Sequence, residues 1–257
     1  MIRSIDLNAD MGEGFGPWKL GDDDALLDIV SSANIACGMH AGDWDTMART
    51  MRMAAERGVG IGAHPGFADL QGFGRRRIDM PVASIANLVA YQVGAARGIA
   101  AACGARLRHV KLHGALANMA ATDETLAQAC FEAALKAAPG ITIMAMAATA
   151  QARAAQELGC PTAFEIFADR SYEDDGTLMD RRRAGAVIHD PDRAADRVLQ
   201  MLDTGAIITH GGGRIPCRID TICLHGDTPD ALRMAETIAA RLTRAGIAIR
   251  PFPEAVG

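Results

Sequence analysis

Short runs of this 257-residue sequence place reactive side chains at every second position. Near the start, "SIDLNAD" alternates apolar side chains with Asp6, Asn8 and Asp10, and near the end "TICLHGD" alternates in the same way and brings His225 and Asp227. Because successive side chains of a strand point to opposite faces, each run is predicted to present its polar groups together. Carboxylates and imidazoles gathered in this way suit acid–base catalysis near neutral pH or the binding of a metal ion.

Three further runs follow the same pattern. They place these groups on shared strand faces: Gly60, Gly62 and His64; His109, Lys111 and His113; Glu165 and Asp169. Asp10, His64 and His113 are the ligand types of a hydrolytic divalent metal ion such as Mg²⁺ or Zn²⁺, and we predict them as catalytic residues and metal ligands. No HExxH-type spacing supports the metal by itself, and without a metal Asp10 and a histidine would serve as general base and acid. Lys111 could stabilise an anion or an oxyanion.

Several candidate residues also have a structural explanation. Asp43 is a good N-cap for the helix predicted after it, and Asp227 could cap the last predicted helix. Arg75 and Arg76, in "GFGRRR", suit a carboxylate or a phosphate, but a solvent-facing loop is the alternative. The functional interpretation therefore rests on the coincidence of at least five strand ends, not on any single residue.

The elements that carry these groups alternate between strands and helices along the whole chain. Apolar runs predict strands at 4–9, 33–37, 59–63, 107–112, 141–144, 163–167, 206–209 and 221–224, with a weaker one at 247–249. Amphipathic patterns, caps and glycine stops predict helices at 23–31, 44–57, 81–103, 123–138, 150–158, 191–202 and 229–245. Such alternation indicates parallel strands with crossover helices. We predict an α/β fold, a TIM-like (β/α) barrel of seven or eight parallel strands in a single domain over residues 1–257, with an open parallel sheet as the alternative.

The polar runs deliver their groups mostly at their C-terminal ends, where barrels of this type carry their active sites. A typical barrel interior is filled by Val, Ile and Leu, and buried charge is costly unless it is paired or bound to metal. We therefore expect a functional site at these strand ends. The predicted loops at 65–80 and 168–190 are long for connections from a strand to a helix, and such loops are more often functional than idle.

The composition argues against several classes of protein. A net charge of −5 and only 4% aromatic residues are unlike a nucleic-acid-binding surface. The apolar stretches are far shorter than a membrane span, and the first residues lack the apolar region of a signal peptide. The six cysteines include no CxxC pair, and Cys37 and Cys223 are expected to be packing residues. We expect a cytoplasmic protein with reduced thiols that binds neither nucleic acid nor a membrane.

Six motifs, in this order, resemble the LamB/YcsF family over nearly the whole chain. They are "DLNADMGEGFG" (6–16), "ANIACGMHAGD" (33–43), "GIGAHPGFADLQGFGRR" (60–76), "VKLHGAL" (110–116), "EIFADRSYEDDGTLMDR" (165–181) and "TICLHGDTPDA" (221–231). The resemblance implies a barrel related to those of glycoside hydrolases and metal-dependent polysaccharide deacetylases. It also implies ATP-dependent opening of 5-oxo-L-proline to L-glutamate with partner subunits B and C. ATP is the cofactor that this reaction requires, and a divalent metal, Mg²⁺ or Zn²⁺, is left open.

With this reaction in mind, the candidate residues are assigned roles. Asp10 is predicted as a base or metal ligand, His64 and His113 as ligands or acid, and Lys111 as a group that stabilises charge. The residues predicted to line the pocket are Asn8, Glu13, His40, Asp43, Arg75, Arg76, Glu165, Asp169, Arg170, His225 and Asp227. Residues 209–220 match none of the six motifs and are assigned no role.

Two other functions stay open at this point. A stand-alone metal-dependent deacetylase or amidohydrolase would retain a stoichiometric metal and cleave amides or N-acetyl groups without ATP. A non-catalytic binding subunit would deliver substrate to its partners, and its ligand binding would survive the loss of Asp10 and His113. A barrel fold alone does not distinguish these functions.

Overall fold

A barrel of parallel strands surrounded by helices forms the centre of the molecule. The structure, a computed structural model, describes residues 3–224 and 231–253. Its strands are β1 (Ser4–Met11), β2 (Ser32–Ala36), β3 (Gly60–His64), β4 (His109–Lys111), β5 (Thr142–Met146), β6 (Thr162–Phe167), β7 (Ala206–Ile208), β8 (Arg214–Pro216), β9 (Thr221–Leu224) and β10 (Ala248–Ile249). Its helices are α1 (Asp23–Leu27), α2 (Trp44–Glu56), α3 (Val82–Ala102), α4 (Gly114–Ala120), α5 (Glu124–Ala137), α6 (Ala150–Glu157), α7 (Pro191–Thr204) and α8 (Ala231–Arg244).

Seven of these strands close into a ring in the order β1-β2-β3-β4-β5-β6-β9, and β9 pairs back to β1. Strand β1 joins both sides of the closure, because Asp10 pairs with Asn34 of β2 while Asn8 pairs with Cys223 of β9. The short strand β10 runs parallel to the start of β1. The predicted TIM-like barrel is therefore confirmed, with seven strands in the closed ring.

The strand predicted at 206–209 does not belong to the barrel. Strand β7 pairs antiparallel with β8, and the turn between them closes through Thr209, whose amide donates to the Gly213 carbonyl at 2.9 Å. An apolar run of this length specifies a strand but not its partner, so the sequence pattern could not distinguish a barrel strand from a hairpin. The short helix α4, directly after β4, was also not predicted.

Aspartate side chains start four of the helices. Asp22, Asp43, Asp123 and Asp190 accept hydrogen bonds from backbone amides in the first turns of α1, α2, α5 and α7. These bonds satisfy donors that a helix start otherwise leaves unpaired. In residues 3–224 and 231–253, no helix combines the length and the apolar character that crossing a membrane requires.

The alternation along β1 divides an apolar outside from a polar inside. Ile5, Leu7 and Ala9 are buried in the large hydrophobic core that the strands share with the helices. Asp6, on the opposite face, accepts hydrogen bonds from Ser31 Oγ at 2.6 Å and Ser32 Oγ at 2.7 Å, as well as from Thr221 Oγ1. Burial raises the pKa of Asp6 in spite of the hydroxyl donors around it. The interior of the barrel is thus polar from its beginning.

The last described residues close the N-terminal end of the barrel. Phe252 is buried with Met144 and Ala163 in a separate small cluster, and its ring meets that of His109 edge-on at 5.5 Å. The Phe252 carbonyl accepts a hydrogen bond from Arg108 Nη2 at 3.1 Å. This apolar plug separates the polar interior from the solvent at that end.

Gly62 of β3 is required by the imidazole beside it. A Cβ atom added at Gly62 would lie 2.1 Å from His109 Nε2, and this ring is held in the barrel interior. We expect Gly62→Ala to lower the free energy of unfolding by about 1–3 kcal/mol, because a closely packed interior must shift to admit a methyl group. Urea unfolding measures this change.

Gly94, in the middle of α3, is the matched control because its added Cβ would meet nothing within 4 Å. Gly94→Ala should raise the free energy of unfolding by about 0.5–1 kcal/mol, since alanine favours a helix more than glycine does. Equal effects of the two substitutions would contradict the close contact at Gly62.

Candidate active site

A cavity of about 870 Å³ lies at the C-terminal ends of the barrel strands. Asp10, His64, Lys111 and His113 line it from β1, from β3 and from the end of β4. All four residues are less than a tenth exposed. Loops after β3 and β6 contribute the more exposed lining, which includes Arg75, Arg76, Arg77, Arg181 and Arg182.

Lys111 has several polar partners in the cavity. Its Nζ lies 2.8 Å from Glu165 Oε1 and donates to Asp10 Oδ1 at 3.0 Å and to Asn8 Oδ1 at 3.2 Å. Burial alone would lower the pKa of this ammonium, but the neighbouring carboxylates outweigh burial and raise the pKa well above its ordinary value. Lys111 is therefore a permanent positive charge inside the barrel.

Cys223 also contacts this ammonium, which donates to its Sγ at 3.0 Å. Burial raises the pKa of the Cys223 thiol well above its ordinary value, although the positive charge of Lys111 acts in the opposite direction. The thiol therefore stays protonated and serves as a neutral acceptor. The interpretation of Cys223 as a packing residue missed this polar contact.

Asp10 is oriented from below by a chain of amide and imidazole groups. Asn34 Nδ2 donates to Asp10 Oδ1 at 2.9 Å and to Asn8 Oδ1 at 2.7 Å. Asn34 Oδ1 must then accept from His109 Nε2, at 2.8 Å. Burial, followed by the charges of Arg108 and Lys111, lowers the pKa of His109 to about 3, so this imidazole is neutral and its Nε2 carries the proton.

His64 and His113 form a chain between two backbone carbonyls. His64 Nδ1 lies 2.8 Å from the Lys111 carbonyl, and His113 Nε2 lies 2.9 Å from the Phe73 carbonyl. A carbonyl oxygen can only accept, so each of these outer nitrogens must carry a proton. The inner nitrogens, His64 Nε2 and His113 Nδ1, are 3.0 Å apart. When only these two protons are present, the lone pairs of the inner nitrogens face each other.

A divalent metal ion fits this arrangement. Bonds of about 2.1 Å to one ion place neighbouring ligand atoms about 3.0–3.4 Å apart. His64 Nε2 lies 3.0 Å from His113 Nδ1 and 3.2 Å from Asp10 Oδ2. Metal-bound histidines usually donate their other N–H to a carbonyl or carboxylate, as both rings do here. Burial lowers the pKa of His113 to about 3, so the His113 imidazole is neutral and its Nδ1 presents a lone pair.

Two more predicted residues lie on the other side of His113. The His40 ring stacks on the His113 ring with centroids 3.7 Å apart, and Glu13 Oε1 lies 3.9 Å from His40 Nε2. Both ring nitrogens of His40 are buried without a hydrogen-bond partner in the described structure. Potential ligand atoms of His40, His64 and His113 lie within 4.8 Å of one another, as do those of Asp10, Glu13 and His113. The donor set therefore extends beyond the three residues predicted from the sequence.

The loop after β3 covers the histidines. Its Phe73 has a left-handed backbone, with φ of 54°, which is uncommon for a residue with a side chain. Asp69 holds the loop by accepting from the Gly72 amide at 3.0 Å and from Arg76. The ion pair with Arg76 lowers the pKa of the Asp69 carboxyl. The strained turn aims the Phe73 carbonyl at His113, so the loop fixes the orientation of that imidazole.

The structure separates the remaining predicted residues. Asp43 caps α2 and also accepts from the Gly16 amide at 2.7 Å, so its carboxylate is occupied outside the cavity. Arg170 lines the cavity, while Asp169, which follows β6, is not among the residues that line it. His225 and Asp227 lie outside the described residues.

Sequence reasoning missed Asn34 as a functional candidate and left His109 out of the pocket. The signal for Asn34 was available, because Ser32 and Asn34 alternate with apolar residues along β2 just as the polar residues do along β1. Phe73 carried no such signal, since its role depends on a backbone carbonyl.

Comparisons with known proteins agree on one family. The LamB/YcsF family model matches residues 5–257. The 5-oxoprolinase A subunit of Ruegeria pomeroyi is 59% identical over 98% of this chain and 99% of its own length. The lactam utilization protein from Thermus thermophilus has a TM-score of 0.90 at 38% identity, covering 97% of this chain and all of its own. The fold alone is shared with the catalytic domain of a peptidoglycan N-acetylglucosamine deacetylase from Eubacterium rectale. That domain has a TM-score of 0.51 at 11% identity, and the match covers 98% of this chain and 89% of its own.

The neutral state of His109 predicts a dependence of stability on pH. Below about pH 6.5 the unfolded chain binds a proton at His109, whereas the folded chain does not until about pH 3. The folded state therefore loses stability on acidification through this window, by up to about 1.4 kcal/mol per pH unit from this residue. His109→Gln keeps a donor for Asn34 but cannot titrate, so its free energy of unfolding should fall less steeply between about pH 6 and 4. Urea unfolding at several pH values measures both slopes.

His189→Gln is the matched control, because His189 is exposed. Its slope should equal that of the unaltered chain. A His109→Gln slope that is equally steep would show that His109 is not held neutral by burial.

Proposed function

Because the chain belongs to the LamB/YcsF family, we propose that it is the A subunit of an ATP-dependent 5-oxoprolinase. In this function it opens 5-oxo-L-proline to L-glutamate, coupled to hydrolysis of ATP to ADP and phosphate, together with partner subunits B and C. The observation that carries the proposal is the contact of Lys111 Nζ with Asp10 at 3.0 Å on the floor of an arginine-lined cavity. The name of the Ruegeria pomeroyi relative supports the choice of substrate.

The chemistry of a lactam explains why such a site is needed. A five-membered lactam is a resonance-stabilised amide that water attacks slowly. Phosphorylation of the amide oxygen by ATP would activate the ring carbon towards water. The water adduct would then break its C–N bond, with the ring nitrogen leaving as a protonated amine, and hydrolysis of the resulting acyl phosphate would give glutamate and phosphate. The protein must then hold a small carboxylate, stabilise negative charge and direct water at the ring carbon.

Residues of this chain can divide these tasks. Asp10 Oδ1 accepts from Asn34 and Lys111. Without a metal ion, Asp10 Oδ2, which lies 3.2 Å from His64 Nε2, is positioned as the base that takes a proton from water. The Lys111 ammonium stabilises negative charge that develops on the oxygen atoms bonded to the ring carbon when water attacks. Arg75 and Arg76 suit the carboxylate of the substrate, and Asp69 holds Arg76 in place.

A divalent metal ion would be held by His64 Nε2, His113 Nδ1 and Asp10 Oδ2. When bound, it would act as a Lewis acid and lower the pKa of a bound water. The carbonyls of Lys111 and Phe73 keep both imidazoles in the tautomer that presents a lone pair to this position.

Exposed apolar side chains near the mouth of the barrel are a suitable binding surface for the partner subunits. Large apolar side chains are exposed there, among them Trp18 at 70% and Leu70 at 45% on loops and Trp44 at 73% at the start of α2. Exposed aromatic residues of this kind often mark protein–protein contacts. We propose that subunits B and C act with this chain in the cytoplasm.

A stand-alone metal-dependent amidohydrolase or deacetylase is the second candidate function. The observation that favours it is the donor set of Asp10, His64 and His113, which needs no second subunit to bind a metal. This function would cleave an amide or an N-acetyl group without ATP.

Turnover by the reconstituted complex tests the first proposal. Release of ADP and glutamate from 5-oxoproline should require this chain and fall by about 10²–10⁴-fold in Asp10→Asn, which removes the base. Asp203→Asn, an exposed position on α7, is the control and should leave the rate unchanged. Urea unfolding of both variants checks that the fold persists. ATP-independent amide cleavage by the chain alone would favour the second candidate.

Metal content provides a separate prediction. The purified chain, incubated with Zn²⁺ or Mn²⁺ and then dialysed, should retain about one metal ion per chain and unfold at a higher temperature. His64→Ala should lose most of the metal and the thermal shift, because one ligand and its lone pair are gone. His189→Ala should behave like the unaltered chain. Equal metal content in the unaltered chain and both variants would show that His64 is not a metal ligand.

A further inference from the structure

The open part of the cavity carries more positive charge than its surroundings neutralise. Seven basic side chains line it against two acidic ones, Asp10 and Asp180, although the whole chain has a net charge of −5. Six of the seven are arginines from two loops. They are Arg75, Arg76 and Arg77 after β3, and Arg170, Arg181 and Arg182 after β6.

Ion pairs account for some of these charges but not for all of them. Arg76 pairs with Asp69, and Arg182 pairs with Asp180 at 2.5 Å. Within residues 3–224 and 231–253, neither Arg77 nor Arg181 forms an ion pair. Two guanidiniums at the cavity wall are therefore available to an anion from outside the chain.

Arg170 adds a buried charge to these two. Its residue is only 4% exposed, and its hydrogen bonds run to backbone carbonyls, from Nη2 to Met179 at 2.6 Å and from Nε to Ala186 at 3.4 Å. Burial, followed by the charge of Arg181, lowers the pKa of Arg170 to about 10, with Asp169 acting in the opposite direction. A buried guanidinium is costly unless an anion compensates it, and the described residues place no carboxylate in ion-pair contact with it.

We propose that Arg77, Arg170 and Arg181 form a subsite for a phosphoryl group at the open side of the cavity. A guanidinium presents parallel N–H donors that match two phosphate oxygens, and a phosphoryl group brings close to two negative charges where a carboxylate brings one. The cavity of about 870 Å³ has room for a ligand that reaches from Lys111 to this subsite.

The subsite deepens the proposed function and rests on it for the identity of the ligand. A lactam phosphorylated on its amide oxygen would bring its carboxylate to Arg75 and Arg76 and its phosphoryl group to Arg77, Arg170 and Arg181. The ligand of this chain would then be the phosphorylated form of the substrate and not the free lactam.

Isothermal titration of the isolated chain with inorganic phosphate and with pyrophosphate tests the subsite. Because Arg170 is buried and its replacement risks misfolding, the decisive variant is the double substitution Arg77→Gln and Arg181→Gln. It should raise Kd at least about ten-fold, through the loss of two charge-assisted contacts. Arg244→Gln, an exposed position in the last turn of α8, removes one charge from the other end of the barrel and should leave Kd within about two-fold.

Each alternative result overturns a definite part of the proposal. Failure of the unaltered chain to bind either anion at millimolar concentration, or equal Kd in the double variant, removes the subsite. If malonate binds as tightly as phosphate, the subsite accepts any dianion and is not specific for a phosphoryl group. The titration needs no partner subunit, so phosphate binding without 5-oxoproline turnover would overturn the proposed function alone. Turnover without phosphate binding would overturn the subsite alone.

Discussion

A positive charge sealed inside a ring of strands is the constraint on which this molecule depends. Lys111 of β4 is almost fully buried, and removing an ammonium from water is costly unless carboxylates and other acceptors replace its hydration. Its partners come from three other strands: Asp10 and Asn8 from β1, Glu165 from β6 and Cys223 from β9. These strands become neighbours of the same point only when β9 returns to β1 and the barrel closes. The charge balance around Lys111 therefore depends on the closed barrel.

The polar interior is organised as levels that support one another. At the start of the strands, Asp6 ties the hydroxyls of Ser31, Ser32 and Thr221 together. In the middle, Asn34 connects the neutral imidazole of His109 to Asn8 and Asp10. At the mouth, the carbonyls of Lys111 and Phe73 hold the two histidines. Asn8 joins the first two levels, because its Nδ2 donates to Thr221 Oγ1 at 2.8 Å, and Asn34 joins the middle level to Asp10. These bonds hold the Asp10 carboxylate in one orientation.

Most of what the sequence could predict came from the alternation of polar and apolar residues along the strands. It placed Asp10, Lys111 and Glu165 on interior faces because strands alternate, and the order of strands and helices led to the barrel itself. It could not separate the hairpin strand at Ala206–Ile208 from a barrel strand, since pairing partners are set by the tertiary fold. It also could not reveal that Phe73 binds through its carbonyl, or that the carboxylate of Asp43, already expected to cap a helix, would also accept from Gly16. Contacts made by the backbone leave little trace in residue type.

Phe252 gives the barrel a direction. The Phe252 ring packs against His109, Met144 and Ala163, and this apolar cluster covers the end of the barrel where the strands begin. Small molecules would therefore enter and leave the barrel through the arginine-lined cavity at the other end. A protein bound over that cavity would enclose its opening. A short-lived reactant could then move from the bound protein to Asp10 without diffusing into the surrounding solvent.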